Sequence, residues 1–206
     1  SATIRSGGIW QGAATVCCAP AANIERGESP VQVNELFTQP NTILLDGGMG
    51  TMLQAAGLKL GARPEELNLT DPALIEGIHA QYAAAGSRII NANTFGASAH
   101  KLAGSAYTLE EVIAAGIANC KRACAPYGAL AALDVGPLGE LLEPNGTLAF
   151  EDAVAEYGRI VRAGAAAGAD LIFFETFTDL YELKAALLAA KENCDLPILA
   201  SMSFEA

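Results

Sequence analysis

Acidic and amide side chains follow a series of short apolar segments along this sequence. They come after five such segments in turn, at Asp46, Asn93 with Thr94, Asp134, Glu175 with Thr176, and Ser203 with Glu205. Lysine, arginine, histidine and cysteine do not occur at these positions, which argues against a Schiff-base aldolase and against a phosphate site built from these loops. Carboxylates and amides together suit a ligand that carries an ammonium group.

The first of these positions allows two interpretations. Asp46 precedes Gly47 and Gly48, and an aspartate there is often only a turn former that accepts nearby N–H bonds. The glycines can serve a backbone with positive φ, but exposed N–H groups in such a turn also form a seat for a carboxylate. Both interpretations of this turn stay open on the residues alone.

The later positions differ in how strongly they indicate a ligand. Asn93 and Asp134 are equally compatible with hydrogen-bonding loop anchors, and we favour that interpretation for Asp134. Glu175 follows the apolar run Leu171–Phe174, where an unpaired carboxylate is costly. Glu175 is therefore expected to have a cationic partner from the protein or from a ligand.

Histidine and cysteine spacing indicates no metal site. His79 lies in a predicted helix and His100 follows the second apolar segment, so we expect both at the surface or its boundary. Cys17 and Cys18 are adjacent but lack a third ligand in a metal-binding context. No residue is assigned as a metal ligand or as a catalytic residue.

The elements that must position these residues alternate between strands and helices. The predicted strands are Thr42–Asp46, Arg88–Thr94, Ala129–Val135, Leu171–Thr176 and Pro197–Ser203. Predicted helices run from Asp71-Pro72 to Gly86, from the capping box Thr108–Glu111 onward, from Glu151 to Ala167, and from Asp179 to Asn193. Their inward faces are expected to carry Leu74, Ile75, Ile78 and Tyr82, then Ile113, Ile117, Cys120 and Cys124, and finally Leu180, Leu183 and Leu187.

Apolar strands that alternate with helices predict an α/β fold with a parallel sheet, either a barrel or a doubly wound sheet. The turn Asp46–Gly50 does not match the dinucleotide-binding fingerprint, and this favours a (β/α)8 TIM barrel. Five strands do not close a barrel of eight, so we expect about the first five βα units of an incomplete barrel in residues 41–206. Residues 1–40 have no sustained period and are expected to form an irregular N-terminal extension.

Composition limits the partners and the compartment. The 206 residues are 51% hydrophobic with a net charge of −11, which disfavours binding to nucleic acid and to anionic membranes. No apolar run approaches the roughly 20 residues of a membrane span. Five irregularly spaced cysteines do not resemble a disulfide framework, and we expect a cytoplasmic protein with reduced thiols.

Several motifs occur in the order and spacing of the homocysteine S-methyltransferase family. They are Ile43–Met52, Pro64–Asn68, Asn93–Ala97, Asp134–Gly139, Phe174–Phe177 and Ser201–Glu205. Over residues 41–206 the chain resembles this family, most of all the N-terminal homocysteine-binding module of its cobalamin-dependent methionine synthases. Each motif alone is weak, but together and in register they are specific.

The resemblance implies a homocysteine S-methyltransferase that makes methionine. It implies that Asp46 and Glu175 hold the amino group of homocysteine and that N–H groups of Gly47 and Gly48 meet its carboxylate. Asn93 and Thr94, in a matching motif, complete the expected substrate-binding set. The implied methyl donor is methylcobalamin or another methyl compound, and the implied partners are the rest of the barrel and folate or cobalamin modules, in cis or in trans.

The family also implies zinc, which deprotonates the substrate thiol while leaving the sulfur nucleophilic. The cysteines that hold it in the family follow the sixth and eighth strands, so the ligands are expected beyond residue 206. These 206 residues alone are accordingly expected to be inactive. Two alternatives stay open: a non-catalytic or split-barrel binding and assembly subunit without a zinc site, and a barrel enzyme that acts on another small thiol or amine.

Overall fold

The computed structural model describes residues 42–59 and 61–204, together with Val33 and Phe37. Its sheet is parallel and follows chain order, β1 beside β2, β2 beside β3 and β3 beside β4. The strands are β1 (Ile89–Asn91), β2 (Leu130–Val135), β3 (Leu171–Phe177) and β4 (Ile198–Met202). The α/β fold with a parallel sheet is therefore confirmed.

The first predicted strand is only partly formed. Segment 42–46 joins the edge of β1 through a single parallel bridge between Leu45 and Ile89. Hydrogen bonds flank the bridge, with the Arg88 N–H donating to Leu44 O at 2.8 Å and the Asp46 N–H donating to Ile89 O at 3.1 Å. Segment 42–46 thus occupies a fifth parallel position without becoming a regular strand.

The four predicted helices begin and end close to the predicted positions, and two short helices that were not predicted precede them in the described residues. They are α1 (Met49–Ala55), α2 (Leu67–Thr70), α3 (Pro72–Ala84), α4 (Leu109–Cys124), α5 (Phe150–Ala166) and α6 (Leu180–Asn193). The Asp71 side chain caps α3 through the Leu74 N–H, and Thr108 with Glu111 forms the predicted capping box of α4. Among the described residues, no helix has the length and apolar character needed to cross a membrane.

Strand residues alternate between two apolar clusters on the two faces of the sheet. One face, with Ile90, Leu133 and Phe174, packs against the helices in the main core. The other face carries Ile89, Ala132, Leu171 and Phe173, against which Val33 packs. A doubly wound sheet has connecting helices on both faces, so sequential strands whose connecting helices α3–α6 pack on one face support the barrel prediction.

Helix faces agree with the predictions at most positions and correct them at two. Cys120 and Cys124 are buried in the main core, as predicted. Leu180 was expected to point inward but is 68% exposed, because it is the first residue of α6 and lines an open apolar groove along that helix. His79 was expected at the surface or its boundary but is completely buried on α3, whereas His100 is exposed.

Candidate functional site

The carboxyl ends of the parallel strands surround a cavity of about 330 Å³, a volume within the range of small-molecule sites. We call it the strand-end cavity. It is lined by Met49, Gly50, Pro64, Glu65, Asn93, Phe95, Asp134, Glu175 and Thr176. No lysine, arginine or histidine is among these lining residues, although two glutamates and one aspartate are.

Strand alternation directs polar side chains toward this cavity on the sheet face away from the helices. Ala132 and Phe173 lie on that face, and Asp134 and Glu175 follow them by two residues in β2 and β3. In β1, Asn91 shares the face of Ile89 in the same way. Each strand thus changes from apolar to polar at its carboxyl end, where a barrel carries its chemistry.

Asp46 reaches the same region from segment 42–46. Its Oδ2 accepts a 3.0 Å hydrogen bond from the Asn91 N–H, while its buried Oδ1 has no hydrogen-bond partner. Burial is the main cause that raises the pKa of Asp46 to about 7; the Asn91 bond opposes this rise, and the charge of Glu175 adds to it. Asp46 and Glu175 are therefore close enough for their charges to interact.

Asp134 is the most buried carboxyl group of the cavity, at 6% exposure. Its Oδ1 has no hydrogen-bond partner, so its side chain does not act as the loop anchor that the sequence suggested. Burial raises the pKa of Asp134 well above its ordinary value, and the charges of Glu175 and Asp46 raise it further. Asp134 belongs to the cavity, which corrects the sequence-based interpretation.

Asn93 and Thr94 fix the backbone at the end of β1. The Asn93 side-chain amide donates to Pro64 O at 2.7 Å and to Asn68 Oδ1 at 2.9 Å. The buried Thr94 hydroxyl donates to Asp134 O at 2.8 Å and accepts a bond from the Asp134 N–H at 3.2 Å. Asn93 lines the cavity, whereas the Thr94 hydroxyl is occupied by the backbone of β2.

The glycine turn lies at the start of α1 and is exposed. A Cβ at Gly47 would stand 3.0 Å from the Tyr82 hydroxyl, and that hydroxyl donates a 3.4 Å hydrogen bond to Gly48 O. The absence of a side chain at Gly47 therefore permits close packing of Tyr82 from α3. Gly48, the N-cap residue of α1, has an extended backbone with a negative φ. Neither glycine lines the strand-end cavity directly, and their expected contact with a carboxylate stays a prediction.

Glu65 was not assigned any role from the sequence, although it lies within the quoted motif Pro64–Asn68. Its Oε1 accepts a 2.7 Å hydrogen bond from the buried Gly96 N–H, and a Cβ at Gly96 would stand only 2.5 Å from that oxygen. Glycine at position 96 thus lets Glu65 approach the backbone. The pairing spans 31 positions in sequence, so periodicity gave no signal for it.

A local irregularity in β3 positions Glu175. The β3–β4 register shifts between Phe174 and Phe177, and Thr176 adopts a left-handed backbone with φ 57°. The Thr176 N–H donates to Ser201 Oγ at 3.0 Å, which holds this conformation. A non-glycine residue in that region is uncommon and often marks a functional site.

Similarity to known proteins assigns the chain to a family. A family model described as homocysteine S-methyltransferase matches residues 43–206. This chain belongs to the homocysteine S-methyltransferase family. It is 31% identical over 180 residues to the methionine synthase of Mycobacterium tuberculosis (strain ATCC 25618 / H37Rv), covering 78% of this chain and 15% of that protein.

Solved structures of the same family share the fold. The oxidized form of the homocysteine methyltransferase MmuM from Escherichia coli matches with a TM-score of 0.67 and 25% identity, over 82% of this chain and 63% of that one. Its metallated form matches with a TM-score of 0.67 and 26% identity, over 84% and 65%. The chain therefore spans less than two thirds of these relatives.

The described residues do not fit the zinc site that the family resemblance implies. They contain no group of three or more histidine, cysteine, aspartate or glutamate side chains arranged to hold a metal ion. Cys120 and Cys124 lie in the helical core, away from the strand ends. Cys17 and Cys18, and Glu205 after the last strand, lie outside the described residues.

Proposed function

We propose that the strand-end cavity binds the amino-acid part of homocysteine within a homocysteine S-methyltransferase that produces methionine. The observation that carries this proposal is the meeting of Asp46, Asp134 and Glu175 at one end of a parallel sheet, with orphaned carboxylate oxygens on the two aspartates. An ammonium group supplies both the charge and the N–H donors that these oxygens lack.

Asp46 and Glu175 are the proposed direct partners of the ammonium group, and the N–H groups of Gly47 and Gly48 are the proposed partners of the substrate carboxylate. Asn93 is the proposed polar contact at the cavity wall. Thr94 contributes by holding the backbone of Asp134, since its hydroxyl is already bonded there. These roles agree with the positions of the family motifs.

The remainder of the enzyme is proposed by family membership. A complete (β/α)8 barrel, with strands beyond the five parallel positions described above, would close the cavity, and folate and cobalamin modules would accompany it in a protein like methionine synthase. The methyl donor is proposed as methylcobalamin. Zinc would require ligands beyond residue 206, and the binding role of the strand-end cavity does not depend on it.

The protein is proposed to work in the cytoplasm. Cys120 and Cys124 are free, with sulfur atoms 3.8 Å apart in the helical core, and Cys194 is also free. Free thiols are typical of a reducing compartment.

Calorimetric titration of the full-length protein tests the proposed function. L-Homocysteine is compared with 4-mercaptobutanoate, which lacks the amino group, and with L-2-aminobutyrate, which lacks the sulfur. We expect loss of the amino group to weaken binding about tenfold or more, because buried carboxylates would lose their cation. Equal binding of homocysteine and mercaptobutanoate would refute the proposal, and no preference for homocysteine over aminobutyrate would favour an enzyme for another small amine.

A further inference from the structure

Asp134 and Glu175 face each other across neighbouring parallel strands. Asp134 in β2 stands beside Phe173 in β3, and Glu175 lies two residues further along β3 on the same face. Both side chains line the strand-end cavity, and the charge of Glu175 acts on Asp134. This pair is distinct from the expected clamp of Asp46 and Glu175, because Asp134 had no assigned ligand role.

The contact between these two groups lacks a donor. Two ionised carboxylates can only accept hydrogen bonds, and Oδ1 of Asp134 is buried with no partner from the protein. One proton between the groups would turn a repulsive contact into an O–H···O hydrogen bond and would satisfy that oxygen. Two carboxyl groups that share one site commonly hold one proton between them.

We propose that Asp134 and Glu175 share one proton in the empty cavity and that the ammonium group of the bound amino acid displaces it. This inference rests on the proposed function, since it names how the cavity accepts an amine. One ammonium group enters and one proton leaves to the buffer, so the positive charge beside the carboxyl pair does not change, while the ligand carboxylate is held apart from this pair by its own proposed partners.

The other charged groups around Asp134 favour this exchange. Asp46 from segment 42–46 and Glu65 from the turn before α2 add negative charge to the cavity. Lys101 is the nearby cation, but its Nζ donates to Pro137 O at 2.6 Å and lies 5.1 Å from the centre of the Phe95 ring. Its charge is also shared with Glu65 and with Glu182 on α6.

Lys101 therefore does not neutralise the cluster. The described surroundings of Asp134 hold three further carboxyl groups against this one partly buried cation, so a proton or a ligand ammonium is needed to balance them. An ammonium group has three donors where a proton provides a single bond. Ligand binding therefore replaces the shared proton with an ammonium group, which balances the same negative charge and donates more hydrogen bonds.

Calorimetry tests the exchange in the full-length protein. L-Methionine, which has no thiol proton, is titrated at pH 8, where Asp46 with its pKa of about 7 is largely ionised, with EDTA present and in buffers of different ionisation enthalpy. The slope against ionisation enthalpy gives the protons released, expected to be about one per ligand bound. Asp134→Asn should remove most of this release, whereas Asp170→Asn, at the opposite end of β3, should leave it unchanged.

Infrared spectroscopy follows the proton itself. At pH 8, where Asp46 is largely ionised, we expect a protonated-carboxyl C=O band in the empty protein that disappears when L-methionine binds and is absent in both Asp134→Asn and Glu175→Gln. Asn and Gln are nearly isosteric with the residues they replace, and Glu175→Gln provides a second variant if Asp134→Asn folds poorly.

The outcomes separate the two proposals. Binding of L-methionine without proton release, or with a release unchanged in Asp134→Asn, overturns the shared proton while leaving the proposed function standing. If neither L-methionine nor L-homocysteine binds, the proposed function fails, and the displacement inferred here fails with it.

Discussion

The backbone N–H of Asn91 donates a 3.0 Å hydrogen bond to Oδ2 of Asp46 and so joins segment 42–46 to β1. The bond occupies one carboxylate oxygen and leaves the other, Oδ1, buried without a partner. Asp46 is therefore held in place by the protein, while its second carboxylate oxygen has no donor within the described residues.

Loss of either proposed ammonium partner should weaken substrate binding. In a zinc-loaded protein that contains the whole barrel, Asp46→Asn or Glu175→Gln should reduce the binding free energy of L-homocysteine by about 1 to 3 kcal/mol, because each removes one charged partner. Calorimetry measures the affinity, and metal analysis should show unchanged zinc. Asp195→Asn, an exposed carboxylate at the far end of α6, serves as control; wild-type affinity in both site variants would contradict their roles.

The same Asp46→Asn change should stabilise the empty protein at neutral pH. The pKa of Asp46 is raised from 3.8 to about 7 in the folded protein. Its contribution to the free energy of unfolding is therefore fully present below pH 3.8 and is lost as pH rises through about 7. Replacement by Asn should raise the free energy of unfolding by roughly 2 to 4 kcal/mol at pH 8 and by little at pH 4. Urea unfolding at both pH values measures the difference, and an equal effect at the two would contradict the raised pKa.

Buried His79 should give a pH dependence of the opposite sign. Burial lowers the pKa of His79 from 6.5 to about 4. Its contribution to the free energy of unfolding is therefore fully present above pH 6.5 and is lost as pH falls toward 4, because the unfolded chain takes up a proton there and the folded protein does not. Between pH 7 and pH 5 this histidine should cost about 2 kcal/mol of stability. His79→Met should remove that loss in urea unfolding, while His100→Gln at an exposed position should retain it.

The site residues that the sequence predicted are those that a local pattern singles out. Asp46 and Glu175 each end an apolar run, and the structure brings both to the same region. Asp134 ends such a run too, but only its unpartnered Oδ1 at the wall of the strand-end cavity distinguishes it from a loop anchor.

The burial of a residue was harder to predict where it depends on packing against residues that are distant in the sequence. His79 follows Ile75 and Ile78 on one face of α3, yet its polar side chain favoured a surface position, and its two ring nitrogens are in fact buried without partners. Glu65 enters the cavity wall through the Gly96 N–H, a contact that no local period encodes. Leu180 shows the reverse error, because helical spacing alone does not say which face a neighbouring helix covers.

Substitution by alanine should change the free energy of unfolding in opposite directions at two helix glycines. At Gly116 in α4 a Cβ would stand 2.7 Å from Asn68 Nδ2 and 2.8 Å from Thr94 Cγ2, so Gly116→Ala should disturb the network behind the cavity and cost about 1 to 3 kcal/mol. At Gly77 in α3 a Cβ meets nothing within 4 Å, and Gly77→Ala should stabilise by up to about 1 kcal/mol. Thermal and urea unfolding compare the two; stabilisation by Gly116→Ala would show that α4 and the strand-end loop are not tightly packed.

The 206 residues on their own should self-associate. Within the described residues β4 pairs only with β3, and segment 42–46 pairs only with β1 through its single bridge, so both edges of the sheet offer unpaired backbone groups. Along α6, Leu180 and Leu188 are 68% and 40% exposed and lie in an apolar groove. Leu180→Lys with Leu188→Lys should reduce association, whereas Leu69→Lys, which removes an exposed leucine on α2, should not.

Light scattering measures this association for the isolated chain and for the chain with strands six to eight supplied in cis or by a partner. Hydrogen exchange measures the protection of the backbone amides in the two edge strands. We expect a compact soluble species only when those strands are present, because they would pair with the free edge of β4 and cover α6. A monodisperse monomer of the 206 residues with strongly protected amides in β4 would contradict the prediction. It would shift weight toward the binding or assembly subunit, because a sheet that closes by itself needs no further strands to be stable.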